Sequence, residues 1–226
     1  MSSISRAARA YSAPFFLFMA LLALSDGVHA VFKNSPFFLL NSPKYWIFPF
    51  QTILCGALLF YYRRHYPLTK PREAGFALFI GLLVFAIWIS PRELFGAPRR
   101  LDGFDPDVFA GIFYSSNLVL RFLRLVVVVP LLEEIFWRGF LLRYLAEQDF
   151  ERVPFGSFAP LPFALVALFF GLAHFGPDFW PAIVTGALYN LVACKTRSLS
   201  ACVLAHALTN LLLGVYILST RQWGFW

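Results

Sequence analysis

Two adjacent carboxylates, Glu133 and Glu134, stand inside an apolar stretch that runs from Leu125 through Val126–Val129, Pro130, Leu131 and Leu132 to Ile135, Phe136 and Trp137. A carboxylate at membrane depth is costly, so it normally faces a wet cavity or a partner and marks function. On a helix, Arg138 lies four residues after Glu134, on the same face and in the favourable acid-before-base order. Glu133 points about 100° away from Glu134. Glu134 is therefore expected to be the structural partner of Arg138, and Glu133 has none on its own helix. An unpaired carboxylate in a low-dielectric cavity suits the work of a general base. The bland alternative is one structural knot of both acids and Arg138.

The chain has four histidines, and two of them fall inside apolar segments. His174 closes the run Phe170-Gly171-Leu172-Ala173-His174, and His206 opens the run His206-Ala207-Leu208-Thr209-Asn210. In each run the i to i+4 spacing puts both ends on one helical face. A lone buried histidine is more often a satisfied core residue than a catalyst, and His29 and His65 take that reading or a loop one. Glu133, His174 and His206, however, come from three separate helices, and membrane sites are usually built by such convergence. Asn210 adds a neutral donor one turn beyond His206. A Glu, two His and an Asn around a water could attack an amide. They supply a base, an orienting group and donors for the developing oxyanion.

The elements that carry these residues are read from composition. Of 226 residues, 59% are hydrophobic and 14% charged, with 28 Phe, 6 Trp and 9 Tyr. A soluble domain carries about 25% charged residues. The mean hydropathy is +0.68. A soluble globule of this size could not hide so much apolar surface, and the same numbers exclude disorder, collagen and coiled coil. The apolar runs do not alternate, so helices are expected rather than a membrane barrel. The expected fold is all-α, a polytopic transmembrane helical bundle of about seven to eight spans. It forms a single domain over residues 1–226, with a catalytic core over 117–218. The net charge of +7 sits mostly between apolar runs, which points to topology and anionic headgroups, not nucleic acid. Cys55, Cys194 and Cys202 fit no metal spacing and read as small buried side chains.

Along the chain, the apolar run Pro14–Leu24 belongs to a first helix retained to about Phe32. This is preferred over a signal cleaved near Val28-His29-Ala30. Tyr45–Tyr62 and Gly75–Ser90 are the next spans, the latter ended by Pro91. The long loop from Arg92 to about Val108 follows. A helical stretch from about Phe109 to Ala146 is expected to kink at Pro130. Leu161–Phe175 would be about 22 Å long as a helix, too short for a ~30 Å hydrocarbon core. That would let His174 lie at the depth of Glu133. Phe179–Ala193 and Leu199–Leu218 complete the set, with Trp223 and Trp226 as interfacial anchors. With a cytoplasmic N-terminus, ten basic residues fall inside: Arg6, Arg9, Arg63, Arg64, Lys70, Arg72, Arg143, Arg152, Lys195 and Arg197. Six fall outside: Lys33, Lys44, Arg92, Arg99, Arg100 and Arg221. The positive-inside rule favours this orientation. Arg121 and Arg124, three apart, could meet substrate or lipid, and headgroup snorkelling is the plain reading.

At Glu133-Glu134-Ile135-Phe136-Trp137-Arg138, Phe170 to His174 and His206 to Asn210, the sequence resembles the CPBP intramembrane protease family. This is the group of the type II CAAX prenyl endopeptidases, also called the Abi family. Its signature is Glu-Glu-x-x-x-Arg, Phe-x-x-x-His and His-x-x-x-Asn on successive helices, and all three are intact and in order here. The resemblance implies a helical bundle with a water-accessible chamber in which Glu133 activates the attacking water with help from His174. It implies that His206 and Asn210 stabilise the oxyanion, that Glu134 and Arg138 hold the site, and that Phe170 packs it. Family members are often named metalloproteases. Glu133, His174 and His206 would be the zinc set, but with no His-Glu-x-x-His motif a metal-free glutamate mechanism is favoured. Asp149 to Phe158, Tyr189-Asn190 and the Trp223 to Trp226 tail further resemble the CAAX-protease-related proteins found with bacterial exosortase systems, which implies a bacterial inner membrane.

The expected activity is hydrolysis of a peptide bond in a membrane-associated protein or peptide, with the lipid bilayer as the other partner and no nucleic acid. A non-catalytic membrane protein of the same fold, such as an immunity or assembly factor, is the alternative. A proton or ion pathway ranks third. It needs polar groups through the full membrane depth, and Tyr45–Tyr62 and Gly75–Ser90 offer almost none.

Overall fold

The apolar runs fold as helices because, away from water, each backbone group must be satisfied within its own segment. A computed structural model describes residues 6–226, so the first five residues of the expected domain lie outside the described part. It contains α1 (Arg6–Phe32), α2 (Lys44–Tyr62), α3 (Ala74–Glu93), α4 (residues 111–144), α5 (Pro160–Leu172), α6 (Phe179–Thr196) and α7 (Leu199–Thr220). No strand occurs among the described residues. The molecule is an all-helical membrane bundle.

Four helices are long and apolar enough to cross a membrane alone: α1, α2 with its 3-10 extension to His65, α3 and α7. That is fewer than the seven to eight spans expected. The 13 residues of α5 reach only about 20 Å, as anticipated. Although α4 is long, it is built from alternating α and π pieces.

Pro91, expected to end its helix, is accommodated instead, Pro130, expected to kink its helix, follows a π turn, and the mechanism is local in both cases. Pro91 does not end α3, which runs on to Glu93. The proline ring removes the N–H that Ile87 O would have received. The Ser90 hydroxyl donates to that same carbonyl at 2.9 Å. At Pro130, α4 widens to π geometry over Arg124–Val128, and Val129 N–H bonds back five residues to Arg124 O. Leu125 O then faces a proline with no N–H to give. The Asn210 side-chain amide reaches across from α7 and donates to it at 2.8 Å. A second π stretch, Ile135–Leu141, follows the two glutamates. Such π turns recur at functional sites.

Close helix contacts depend on small residues, as they do in membranes generally. A Cβ on Gly186 of α6 would sit 2.9 Å from Ala167 Cα of α5, and one on Gly81 of α3 would sit 2.6 Å from Ala205 O of α7. The Thr209 hydroxyl donates to Gly81 O at 2.8 Å and locks that second approach.

The two ends of the bundle are each tied by their own contacts. At one end, Tyr11 of α1 donates to His65 O, Tyr66 to Ala10 O, and Arg72 N–H to Ser198 Oγ. Arg143 donates to Val153 O there. At the other end, the loop between α3 and α4 meets the tail and the α5–α6 connection. Arg100 pairs with Asp178 at 2.6 and 2.7 Å, its carbonyl accepts from Gly224 N–H, and Arg221 pairs with Asp107 at 3.2 Å.

Arg121 and Arg124 depart from the snorkelling expectation. Both are buried in the bundle. Arg121 lies about 5 Å from the rings of Phe48, Phe104 and Trp226, a cation–π cage. Arg124 donates from Nε to Gln51 Oε1 at 2.9 Å. Residues on α2, on the α3–α4 loop and in the tail thus supply the contacts that headgroups would have given. The three cysteines are free, and Cys55 and Cys202 are buried.

Candidate active site

The knot that holds the site is built around Arg138, which is fully buried together with Glu134. Arg138 donates to Glu134 Oε1, to Asn190 Oδ1 and to Gly186 O, each at 3.0 Å. Its guanidinium also lies 5.0 Å from the Phe170 ring centre. Glu134 Oε1 further accepts from His206 Nδ1 at 2.8 Å. The expected Glu134–Arg138 pair is therefore present, and one carboxylate oxygen also orients the imidazole of α7. A buried pair is strongly harmful to break, because the remaining charge has no water to return to.

Glu133 takes no part in that knot. It is buried, and its Oε2 has no hydrogen-bond partner. Among the described residues no ion pair or hydrogen bond engages it. The three-residue knot raised as the bland alternative is thus not what forms, since Glu133 stays out and His206 and Asn190 come in.

The histidines are set by their Nδ1 partners. His174 Nδ1 contacts Phe170 O at 2.8 Å. A carbonyl only accepts, so Nδ1 carries the proton and the neutral ring keeps its Nε2 lone pair free. The Phe170 ring stacks on His174 at 4.7 Å between centroids, so this residue both packs the imidazole and fixes its tautomer. His206 Nδ1–H likewise donates a hydrogen bond to Glu134 Oε1, while its ring lies 5.1 Å from that of Tyr189.

Glu133, His174, His206 and Asn210 all line one cavity of about 160 Å³, with Tyr189 and Asp178 also in its wall. At roughly 30 Å³ per water, it has room for several. The structure thus brings together the four side chains read from sequence as the reacting set. Asn210 differs in one respect: one of its two amide N–H groups is spent on Leu125 O, leaving the second for the cavity. A larger cavity, about 440 Å³, lies on the other side of α4 against Val127, Val128 and Leu131, and its wall is almost wholly apolar.

Several residues of the site were not picked out as site residues from sequence. Asn190 and the Gly186 carbonyl anchor Arg138. Tyr189 donates to Thr209 Oγ1 at 2.8 Å, and Trp88 Nε1 donates to Thr185 Oγ1 at 2.9 Å. The available signal was the polar spacing Thr185, Tyr189, Asn190 on an otherwise apolar segment, which repeats at about one helical turn. No three His, Cys, Asp or Glu side chains among the described residues form a group able to hold a metal ion.

Residues 115–212 match the family model for type II CAAX prenyl endopeptidase Rce1-like. Over this stretch, less than half of the chain, the sequence is similar to that family. The Rce1-like segment contains Glu133, Glu134, Arg138, Phe170, His174, His206 and Asn210, the residues that build the knot and the cavity. Comparison with curated proteins and with solved structures finds no match.

Proposed function

We propose that the protein is an intramembrane endopeptidase that hydrolyses a peptide bond of a membrane-associated protein or peptide with water activated by Glu133. The observation that carries this reading is the unpartnered Glu133 oxygen in a cavity also lined by His174, His206 and Asn210. Glu133 takes a proton from water as the oxygen attacks the amide carbon. The free Nε2 of His174 orients that water. The oxyanion is met by the spare N–H of Asn210 and by His206, which donates from Nε2–H as an imidazolium while its Nδ1–H stays on Glu134. Glu133 then returns the proton to the leaving amine. Glu134 and Arg138 act as positioning residues, because they hold His206 and the helix rather than the reacting atoms.

The subgroup resemblance extends the proposal to an exosortase-associated role in a bacterial inner membrane. A second reading, a non-catalytic assembly or immunity factor, is favoured by one observation. The Glu134–Arg138–Asn190 knot with His206 would stabilise the bundle without any reaction, although Glu134 Oε2 is left without a partner.

The test is purified protein in proteoliposomes, offered a library of membrane-anchored peptides and assayed by mass spectrometry. Cleavage by wild type that disappears in Glu133→Gln with the fold intact supports the endopeptidase. Equal cleavage by both proteins contradicts the role of Glu133.

A further inference from the structure

The two ends of the bundle differ in charge, and the cavity's lining reaches connecting segments at only one of them. At the end formed by α1's first turn, the α2–α3 loop, the α4–α5 loop and the α6–α7 junction stand the ten basic residues from Arg6 to Arg197 named above. They are accompanied by four acids, Glu73, Glu147, Asp149 and Glu151. The opposite end carries six basic residues and six acids: Asp26, Glu93, Asp102, Asp105, Asp107 and Asp178. One end is strongly positive and the other is neutral.

The fully buried knot of Glu134, Arg138 and Asn190 does not line the cavity. The cavity's wall rises from Glu133 and His206 through His174 to Asp178 and Phe225. Asp178 belongs to the α5–α6 connection and Phe225 to the tail, both at the neutral end. The Asp178 side chain retains 22% exposure while Glu134 and Arg138 retain none. The Asp178 part of the lining is thus exposed at the neutral end, beside Arg100, which also lies 4.3 Å from the Phe225 ring centre.

Short loops rich in Lys and Arg stay on the cytoplasmic side of a membrane. We propose that the chamber opens on the non-cytoplasmic side, so that its substrate is a peptide presented from that side rather than a cytosolic C-terminal tail. The substrate half of this statement rests on the endopeptidase reading, whereas the orientation half does not. The Arg100–Asp178 pair and the tail stand across the entrance, so a peptide must pass between the α3–α4 loop and the α5–α6 connection to reach Glu133.

The experiment reads orientation without proteolysis. Single cysteines are placed at exposed ion-pair positions, Asp107→Cys and Arg221→Cys at the neutral end and Arg152→Cys at the positive end. Exposed Arg64→Cys is a second marker at the positive end. Intact cells are treated with a membrane-impermeant maleimide, with full reactivity fixed in detergent and wild type as the background for the native cysteines. Labelling of the two neutral-end sites in intact cells, and of the positive-end sites only after permeabilisation, is the expected result. The reverse pattern, or labelling of both ends in intact cells, overturns the proposal. Because no cleavage is measured, a peptidase that fails its own assay leaves this result readable, and a reversed orientation leaves the peptidase standing.

Discussion

Replacing Arg138 with Met tests whether the site rests on its knot. The substitution keeps the volume and removes the charge. It leaves the Glu134 carboxylate, Asn190 Oδ1 and Gly186 O without the three bonds of 3.0 Å that Arg138 supplies. Stranding a buried charge costs about 3–5 kcal/mol, and each neutral acceptor left unpaired adds about 1–3 kcal/mol. The loss is comparable to the roughly 5–15 kcal/mol that hold a domain together. Glu134→Gln alone strands the guanidinium and weakens the hold on His206. In the double variant neither charge remains, so its cost should fall below the sum of the single costs by about 2–3 kcal/mol. Reversible unfolding in mixed micelles, followed by tryptophan fluorescence, measures all three. If Arg138→Met unfolds within about 1 kcal/mol of wild type, or if the two substitutions simply add, the knot does not hold the site as argued.

Other outcomes follow from individual contacts. Glu133→Gln should reduce cleavage by about 10²–10⁴-fold while leaving the unfolding midpoint unchanged or raised, because no bond to Glu133 is lost. Asn210→Ala should cost about 1–3 kcal/mol by orphaning Leu125 O. Pro130→Ala, which restores an N–H beneath that carbonyl, should remove most of the penalty in the double variant, and an unchanged penalty would refute the bond's role. Gly186→Ala should destabilise by about 1–3 kcal/mol through overpacking against Ala167. Gly27→Ala, with open space around its Cβ, should be neutral or stabilising in the same assay. Chelators should leave cleavage intact if Glu133 activates water without a metal; loss of activity restored by zinc would contradict that mechanism.

Much of the site was legible because the bilayer makes polar side chains conspicuous. Glu133, Glu134, Arg138, His174 and His206 stood out against apolar runs, and i to i+4 geometry alone paired Glu134 with Arg138 and left Glu133 unpartnered. Helix positions were legible for the same reason. What could not be read was long-range partnering. Nothing local to His206 says that Glu134, 72 residues away, accepts its hydrogen bond. Asn190 and Gly186 become ligands of Arg138 only once α6 packs beside α4. The behaviour of the prolines was also hidden, because Ser90 and Asn210 rescue carbonyls whose loss sequence rules count as a break. Arg121 and Arg124 looked like surface cations because the aromatic rings that cage Arg121 are supplied by α2, a loop and the tail.

Whether Glu133 drives hydrolysis in the membrane decides the function proposed for this cavity. Peptide termini can be compared by mass spectrometry in membranes of cells that carry either the wild-type protein or a Glu133→Gln variant at equal abundance. New termini in wild-type membranes that vanish in the variant are the predicted result. Identical termini in the two membranes would contradict it.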